Sequence, residues 1–336
     1  ISSPGFARSA RPCEQTPMSA ASPRKILIDT DPGIDDAMAI FYALESPELE
    51  VVGLTSVFGN ADTSVCTANA LTLLEIADRT DIPVARGVEA PLAMPYRGPV
   101  AFVHGTDGQG DIFLPPPTIT TQPIDAPNFI VRNVMDAPGL ITLVGIGPLT
   151  NIAIAMQIEP RLAANIAEIV VMGGNAFCGG NASPAAEANI LNDPEAADIV
   201  FGADCPIAMA GLDVTEQIEM TASDLSRLSS FGNARAQHLA AIVPFYASFY
   251  RDRLGLDGIL VHDSTTISYL LAPQLFTWVE YPVRVDCGNS FCRGKTQPAV
   301  HLSDQESAWS GRRPVRILTG ADSRTVVELE LKTLER

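Results

Sequence analysis

The sequence predicts an α/β fold in which an open, mostly parallel β-sheet carries helices on both faces. From Lys25 onward, short apolar runs alternate with longer segments of helical periodicity, and this alternation is typical of successive βα units. The runs are mostly apolar along their length, as expected of parallel strands that are buried on both faces. We therefore expect a binding site at the carboxyl ends of the strands, where such sheets bind their ligands.

Each apolar run predicts one strand of the sheet, and the periodic segment that follows it predicts a covering helix. The predicted strands are 26–28, 51–57, 140–144, 169–172 and 206–210. The predicted helices are 36–45, 64–79, 128–136, 149–157 and 194–202. Segment 315–336 predicts a last strand followed by an amphipathic closing element.

Residues 25–336 are predicted to form one large domain, to which 220–271 adds a helical appendage. The first 24 residues, 1–24, are rich in Ser, Ala and Pro and are predicted to be disordered. Two interpretations of this segment stay open. Either Met18 is the true start and follows a remnant, or the segment is a trimmed transit peptide.

The composition indicates an acidic, folded protein with a large core. Hydrophobic residues make up 46% of the chain and charged residues 18%, which excludes a mostly disordered chain. The net charge of −17 repels phosphate backbones and anionic lipids, so we expect neither a nucleic-acid nor a membrane partner. Six scattered cysteines without a CxxC pair or zinc spacing indicate reduced thiols, and we expect a cytoplasmic protein.

Four carboxylates follow the first predicted strand within eight residues: Asp29, Asp31, Asp35 and Asp36. Clustered carboxylates repel one another, so a hard cation is their expected partner. Because no Cys or His lies among them, calcium or magnesium is favoured over zinc. Alternatively, Asp35 or Asp36 caps the helix that begins there, which would account for one or two of the four.

Polar residues also follow three further predicted strands. Gly59-Asn60 follows the second strand, and the segment from Gly147 to Asn151 follows the third. The fourth is followed by Gly173-Gly174 and a loop that reaches Asn189. Strand-to-helix loops are often polar, but four such loops at one edge of a sheet favour a single binding crevice.

Seven motifs, in order along the chain, carry a resemblance to a known family. They are Asp29-Thr-Asp31-Pro-Gly-Ile-Asp35-Asp36-Ala37, Val57-Phe58-Gly59-Asn60, His104-Gly105-Thr106-Asp107-Gly108, Gly147-Pro148-Leu149-Thr150-Asn151, Met172-Gly173-Gly174, Asn181 to Asn189, and His262-Asp263. In this the chain resembles the inosine–uridine-preferring nucleoside hydrolases. The segment from Pro184 to Asn189 most resembles the plant and algal uridine ribohydrolases. The resemblance is spread from Lys25 to about Arg293 and thins beyond it.

The resemblance implies a Rossmann-like nucleoside hydrolase fold and hydrolysis of the N-glycosidic bond of a ribonucleoside to ribose and free base. Plant and algal members act on uridine and also on xanthosine or inosine. Ala188 stands where protozoan and bacterial relatives usually have Phe, and Ser264 replaces the usual Pro after His-Asp, so the specificity of those relatives is not transferred. A small ribonucleoside substrate and a homo-oligomer, by default a dimer, are the expected partners.

The resemblance also assigns the site. Calcium (Ca²⁺) would be held by Asp31, Asp36, the backbone carbonyl of Thr150 and Asp263, and Asp31 would be the general base for a water bound to that ion. His262 is expected to protonate the leaving base, and His104 to face the base. The expected substrate contacts are Asp35, Asn60, Met172, Asn181, Glu187 and Asn189.

Several of these assignments have an alternative in the residues alone. The sequence around Thr150 also suits the start of a helix, asparagines favour turns, and a histidine such as His262 can be held in the fold. His238 and His301 are expected at the surface. The aromatic series in the appendage predicts core or dimer contacts, with one ring bordering the base: Phe245, Tyr246, Phe249 and Tyr250.

Two other functions are considered. A phosphatase of the haloacid dehalogenase type also has Asp-x-Asp after its first strand, but it normally continues with Gly-Thr or Gly-Val where this chain has Pro32-Gly33-Ile34. A non-catalytic nucleoside-binding protein would keep the pocket without turnover. Asp31 and His262 together count against it, because binding alone needs neither a base nor an acid.

Overall fold

An eight-stranded sheet forms the centre of the molecule in the computed structural model, which describes residues 22–301 and 308–336. Its strands are β1 (Arg24–Thr30), β2 (Leu49–Ser56), β3 (Val84–Ala85), β4 (Ile141–Gly145), β5 (Glu168–Met172), β6 (Ile207–Ala210), β9 (Phe276–Tyr281) and β12 (Val315–Ala321). Two small antiparallel sheets pair β7 (Glu219–Thr221) with β8 (Gly258–Leu260), and β10 (Val283–Val285) with β11 (Thr296–Pro298).

The helices that accompany these strands in the described residues are α1 (Ile34–Leu44), α2 (Thr63–Ile76), α3 (Ala101–His104), α4 (Ala126–Asp136), α5 (Thr150–Ile158), α6 (Leu162–Asn165), α7 (Ala188–Asn192), α8 (Pro194–Phe201), α9 (Leu212–Thr215), α10 (Ala222–Ser229), α11 (Ala234–Leu254), α12 (Ser264–Leu271) and α13 (Ser323–Leu334). They cover both faces of the sheet. Ile26 and Ile28 of β1 belong to the core under α1, α12 and α13, whereas Leu27 faces the core under α4, α5 and α8. The predicted α/β architecture is therefore confirmed.

The strand order of the central sheet is β3-β2-β1-β4-β5-β6-β12-β9. All neighbours run parallel except β9, which pairs antiparallel with β12. From β1 the chain first adds β2 and β3 on one side of the sheet, and it then returns to add β4, β5 and β6 on the other side. The direction in which strands are added therefore switches between β1 and β4. Open α/β sheets bind ligands at the carboxyl ends of the strands at such a switch point, and the loops after β1 and β4 lie there.

The five predicted strands and five predicted helices are all present, with shifted ends. Helix α2 stops at Ile76, three residues before the predicted end, because the chain turns through Asp78 at φ 53°. The closing strand and helix correspond to β12 and α13. The edge strand β9 and the hairpin of β10 and β11 were not predicted, since their partly exposed residues lack a continuous apolar run.

Segment 220–271 contains three helices, α10, α11 and α12, and also two short strands that were not predicted. The 21-residue helix α11 packs against α1 and α3 and ends at Gly255, which adopts the left-handed conformation at φ 68°. At the other terminus, β1 begins at Arg24, and residues 1–21 of the predicted disordered segment lie outside the described residues. In the described part of the chain, no helix combines the length and the apolar character that crossing a membrane requires.

Candidate active site

The acidic loop connects the end of β1 to the first turn of α1. Thr30 Oγ1 donates a 2.5 Å hydrogen bond to Asp36 Oδ1, while the Gly33 N–H and Asn60 Nδ2 donate to Asp36 Oδ2 at 2.9 and 3.0 Å. Asp36 thus satisfies a backbone donor at the start of α1, which is the capping role considered above. Capping does not account for Asp35, whose Oδ2 accepts a 3.1 Å hydrogen bond from the hydroxyl of Tyr246 on α11.

A third carboxylate reaches this loop from a distant part of the sequence. Asp263 precedes α12, is buried, and its side chain makes no capping hydrogen bond to that helix. Asp35, Asp36 and Asp263 each offer one carboxylate oxygen, and these oxygens lie within 4.8 Å of one another. The fold therefore brings together two acidic motifs that lie more than two hundred residues apart.

Asp31 is not one of these three residues, but it lies near enough to raise the pKa of Asp263, and one of its oxygens is free. The Asn60 N–H donates a 2.7 Å hydrogen bond to Asp31 Oδ2, whereas Asp31 Oδ1 is buried without a partner. A Cβ atom added at Gly147 would lie 2.5 Å from Asp31 Oδ1, so a glycine is needed at this approach. Asp35 Oδ1 is also buried without a hydrogen bond.

Burial dominates the electrostatics of these four carboxylates. It raises the pKa of Asp31 and Asp263 well above the usual range, and neighbouring carboxylates add to the effect. It raises the pKa of Asp35 and Asp36 to about 6. Four clustered carboxyl groups at this depth, two of which have an unpartnered oxygen, are costly unless positive charge compensates them. A donor set made only of oxygens fits a hard divalent cation such as Ca²⁺ or Mg²⁺.

Asp29, the first carboxylate of the motif, forms hydrogen bonds within the fold and is not part of the acidic cluster. It lies between Thr55 of β2 and Gly145 of β4 in the sheet register. Its Oδ1 accepts hydrogen bonds from Thr55 Oγ1 at 2.6 Å and from Asn151 Nδ2 at 2.8 Å. Burial raises the pKa of Asp29 to about 7. Asp29 therefore joins three strand ends and fixes Asn151 at the start of α5.

Thr150 opens α5 at the carboxyl end of β4 and is fully buried. Its Oγ1 donates a 2.7 Å hydrogen bond to Asp193 Oδ2, which also accepts from the Leu92 N–H at 2.9 Å. The other oxygen of Asp193 accepts from the Ala196 N–H and caps α8. An Asp before Pro194 predicts only a helix cap at Asp193. The hydrogen bond between Asp193 and Thr150 was therefore not predicted.

The loop after β5 carries two of the predicted substrate contacts, Glu187 and Asn189, and Glu187 lies close enough to Asp263 to raise the pKa of that carboxyl. Glu187 is buried and accepts hydrogen bonds from the N–H groups of Gly174, Asn189 and Ile190 at 2.9, 2.8 and 3.1 Å. Asn189 Nδ2 donates to the carbonyls of Ile146 and Met172 at 2.9 and 3.2 Å.

Two predicted substrate contacts stand apart from that group. Asn60, on the loop after β2, bonds both Asp31 and Asp36, so it belongs to the acidic cluster. Asn181 is exposed, and its Oδ1 accepts a 3.0 Å hydrogen bond from the Ala188 N–H. That bond ties Asn181 to the residue between Glu187 and Asn189.

His262 lies in the site but is fully hydrogen-bonded. Its Nδ1 pairs with Thr215 Oγ1 and its Nε2 with the Tyr250 hydroxyl, each at 2.9 Å. The Tyr250 hydroxyl lies 3.1 Å from that of Tyr246, which in turn donates to Asp35. Burial lowers the pKa of His262 to about 4, so the ring is neutral near pH 7 and holds no extra proton to donate.

His104 flanks the other side of Asp35. Its Nδ1 accepts a 3.2 Å hydrogen bond from the Ile34 N–H, lies 3.8 Å from Asp35 Oδ1, and its ring stacks on Tyr246 with 5.5 Å between centroids. Burial lowers the pKa of His104 to about 4. The surface expectation for His238 is wrong: it is buried, and its Nε2 pairs with Gln109 Oε1 at 2.9 Å.

Two tyrosines of α11 make hydroxyl contacts here that the sequence analysis did not predict. Tyr246 and Tyr250 belong to the aromatic series that was expected to form core or dimer contacts, with one ring bordering the base, and both are buried. Their spacing of four residues places both on one face of α11, and that face turns towards Asp35 and His262. Amphipathic spacing predicts which face is buried, but it does not predict that a buried tyrosine hydroxyl bonds a site residue.

Comparisons with known proteins identify a family and individual proteins that this chain is similar to. Residues 26–328 match the family model described as inosine-uridine preferring nucleoside hydrolase. The chain is 43% identical over 320 residues to probable uridine nucleosidase 2 of Arabidopsis thaliana, which covers 94% of this chain and 99% of the relative. It is 41% identical over 274 residues to the pyrimidine-specific ribonucleoside hydrolase RihA of Escherichia coli, covering 81% and 87%. A solved plant nucleoside hydrolase, the PpNRh1 enzyme, superposes with a TM-score of 0.90 at 39% identity and covers 93% of this chain and 99% of its own.

Proposed function

The chain belongs to the inosine-uridine preferring nucleoside hydrolase family, and on that premise we propose that it uses calcium and Asp31 to hydrolyse uridine, xanthosine or inosine. It is a ribonucleoside hydrolase, which cleaves an N-glycosidic bond. The finer proposal concerns the ion, the residues and the bases. One observation carries it: the buried, unpartnered Oδ1 of Asp31 lies beside the cluster of Asp35, Asp36 and Asp263.

The proposed ion ligands are Asp31, Asp36, Asp263 and the backbone carbonyl of Thr150. When bound, calcium would supply the positive charge that keeps these buried carboxylates ionised and would make a water molecule more acidic. We propose calcium over magnesium because this set has three carboxylates and a carbonyl, whereas magnesium usually binds through one or two carboxylates and keeps several of its waters. Calcium takes six to eight oxygen ligands, so positions remain for water and ribose hydroxyls.

Asp31 is the proposed general base. The Asn60 N–H holds its Oδ2 at 2.7 Å, which leaves Oδ1 to accept a proton from the attacking water. As the water oxygen bonds to C1′ of the ribose, the bond from C1′ to the base nitrogen breaks. Negative charge on the surrounding aspartates favours the positively charged sugar that develops in between.

Ribose would be held by side chains around the cluster, all of them polar except that of Met172. The proposed contacts are Asp35, Asn60, Met172, Asn181, Glu187 and Asn189. Glu187 and Asn189 are preorganised for this role, because their hydrogen bonds to the backbone fix both side chains before substrate arrives. Preorganised polar groups should select strongly for a sugar that satisfies them.

The leaving base would lie on the side of His262 and His104. His262 is neutral in the resting site, so we propose that it takes up a proton from solvent only with substrate bound. It then passes a proton to the leaving base nitrogen through the Tyr250 hydroxyl, 2.9 Å away, which gives up its own proton as it receives that of His262. His104 stacks on Tyr246 and borders the same side. Its ring is proposed to face the base.

The two alternative functions have no support among the relatives named above, which are all nucleosidases or nucleoside hydrolases. A haloacid dehalogenase-type phosphatase would release phosphate from a phosphorylated substrate. A non-catalytic nucleoside-binding protein would leave its nucleoside intact. Both differ from a nucleoside hydrolase in the products that they release.

A product assay tests the proposed function. The chain is incubated separately with uridine, inosine and xanthosine in calcium, and free base and ribose reducing ends are both measured. We expect equal amounts of ribose and base from at least one nucleoside, and loss of both after treatment with a chelator and recovery on adding calcium back. Uridine monophosphate serves as the control substrate, from which we expect no free phosphate. Intact nucleosides in all three reactions would contradict the proposal.

Two features of the cellular context are also proposed. The scattered cysteines are consistent with a cytoplasmic enzyme. The family resemblance supports a homo-oligomer, with a dimer as the default. The sedimentation velocity of the purified chain would distinguish a monomer from a dimer.

A further inference from the structure

A hydrogen bond ties the active site to the last helix of the chain. Ser264 follows Asp263 and opens α12, and its Oγ donates a 2.7 Å hydrogen bond to Glu330 Oε1 on α13. Both residues are buried, with 2% and 0% of their surface exposed. Glu330 lies beyond residues 26–328, which are those that match the family.

The second oxygen of Glu330 has no partner. Glu330 Oε2 is buried without a hydrogen bond, and burial raises the pKa of this carboxyl to about 7. Buried polar atoms are normally paired, so an exception calls for an explanation. The chemistry described above uses neither Glu330 nor Ser264.

The packing of three helices connects this pair to the acidic cluster. Helices α1, α12 and α13 contact one another. The first turn of α1 carries Asp36, and α12 follows directly on Asp263. One turn into α12, Ser268 Oγ bonds the hydroxyl of Tyr42 on α1 at 3.4 Å.

Asp263 has no capping bond of its own to fix it. Because its side chain does not cap α12, the position of Asp263 follows the position of the first turn of that helix. The hydrogen bond of Ser264 fixes that turn to α13, and the longer hydrogen bond of Ser268 fixes α12 to α1. Residues that do not touch a metal but hold its ligands in position commonly affect how tightly the metal binds.

We propose that Glu330 is a positioning residue that, by holding Ser264, keeps Asp263 in place for the divalent cation. This inference rests on the proposed metal site. It assigns a role in the active site to the C-terminal helix, whose residue 330 lies outside the matched region.

Calcium titration of four single variants, and of the double variant that combines Ser264→Ala with Glu330→Leu, tests the inference. Glu330→Leu removes the acceptor, Ser264→Ala removes the donor, and Glu330→Gln keeps an acceptor oxygen for Ser264. Glu328→Leu is the matched control, since Glu328 lies on the same helix but pairs with Arg227 and is away from α12. Each chelator-stripped protein is titrated with calcium by calorimetry, and its melting temperature is measured with and without calcium.

We expect Glu330→Leu and Ser264→Ala each to bind calcium about three- to tenfold more weakly, the range that a lost hydrogen bond gives. The double variant should bind no more weakly than either single variant, because both remove the same bond. Glu330→Gln and Glu328→Leu should bind calcium as the unaltered chain does. The kcat for uridine should recover in Glu330→Leu and Ser264→Ala at saturating calcium, since the lost contact acts only through the ion's ligand.

Unchanged calcium affinity in Ser264→Ala and Glu330→Leu would overturn the inference, even if both variants melt at a lower temperature without calcium. If Glu330→Leu fails to fold, Ser264→Ala compared with Glu330→Gln decides the question. Absence of calcium binding by the unaltered chain would overturn the proposed metal site as well, so the two failures are distinguishable.

Discussion

The backbone N–H of Asn60 donates a 2.7 Å hydrogen bond to Oδ2 of Asp31 and leaves Oδ1 of that carboxylate buried without a partner. The two residues lie on loops after neighbouring strands, β1 and β2. One oxygen is thus fixed by the backbone, and the other is available to a water molecule or a cation.

Replacing Asp31 should stop catalysis. Asp31→Ala removes both a proposed ligand and the proposed base, and we expect kcat for uridine to fall by at least about a thousandfold, towards the upper end of what general-base catalysis contributes. Asp62→Ala is the control, since Asp62 precedes α2 without a side-chain capping bond. Steady-state ribose release measures both variants. A rate for Asp31→Ala within about tenfold of the unaltered chain would show that Asp31 is not the base.

Replacing His262 should affect purine and pyrimidine nucleosides differently. Departure of hypoxanthine depends more on ring protonation than departure of uracil, so His262→Ala should lower kcat/KM for inosine more than for uridine. We expect the ratio of the two to change by at least about tenfold, within the range of general-acid contributions. Comparing both substrates in one preparation cancels losses in folded protein. Equal losses would indicate that His262, which bonds Thr215 and Tyr250, has a purely structural role.

The site should discriminate against deoxyribose. Glu187 and Asn189 are buried and held in place, so a missing 2′-hydroxyl would leave a polar group of the site without its partner. We expect kcat/KM for 2′-deoxyuridine to be lower than that for uridine by a factor on the order of a hundred or more. Thymidine provides a second deoxynucleoside for comparison. Similar values for uridine and 2′-deoxyuridine would contradict the proposed ribose contacts.

Acid should destabilise the fold through its buried histidines. Burial lowers the pKa of His238 to about 4 from 6.5, so below about pH 6.5 the unfolded chain takes up a proton that the folded chain does not. The stability that depends on a neutral His238 is therefore fully present above about pH 6.5, and it is lost as the pH falls towards 4.

The variant His238→Gln isolates this contribution. Its free energy of unfolding in urea should depend less on pH than that of the unaltered chain, by roughly 1 kcal/mol per pH unit between about pH 6 and pH 5. Gln keeps a donor for Gln109, so uridine turnover near pH 7 should stay close to normal. The same pH dependence in both proteins would mean that the unfolding of this chain does not involve proton uptake at His238.

The architecture of the fold was predictable because buried parallel strands leave a strong signal. Continuous apolar runs predicted β1, β2, β4, β5 and β6, and the polar residues after them predicted where the site lies. The antiparallel edge strand β9 was not predictable in this way, because only one of its residues is buried and the pattern resembles a loop. Nor does any local pattern indicate that β12 lies between β6 and β9.

Site residues that belong to sequence motifs were predictable, whereas contacts that depend on how helices pack were not. The acidic loop predicted Asp35 and Asp36 as members of one cluster, and the resemblance supplied Asp263, which the fold brings to them. Whether Asp31, Asp36, Asp263 and Thr150 bind an ion stays a prediction. The hydroxyls of Tyr246 and Tyr250 and the burial of His238 depend on how α11 packs against α1, which no local pattern specifies.

A structure of the chain crystallised with calcium, with the ion located by its anomalous scattering, tests the central claim most directly. The account predicts one strong peak at the carboxyl end of β1, with oxygens of Asp31, Asp36, Asp263 and the Thr150 carbonyl at about 2.3–2.6 Å. A peak elsewhere in the molecule, or an ion in this cluster that Asp31 does not touch, would contradict it.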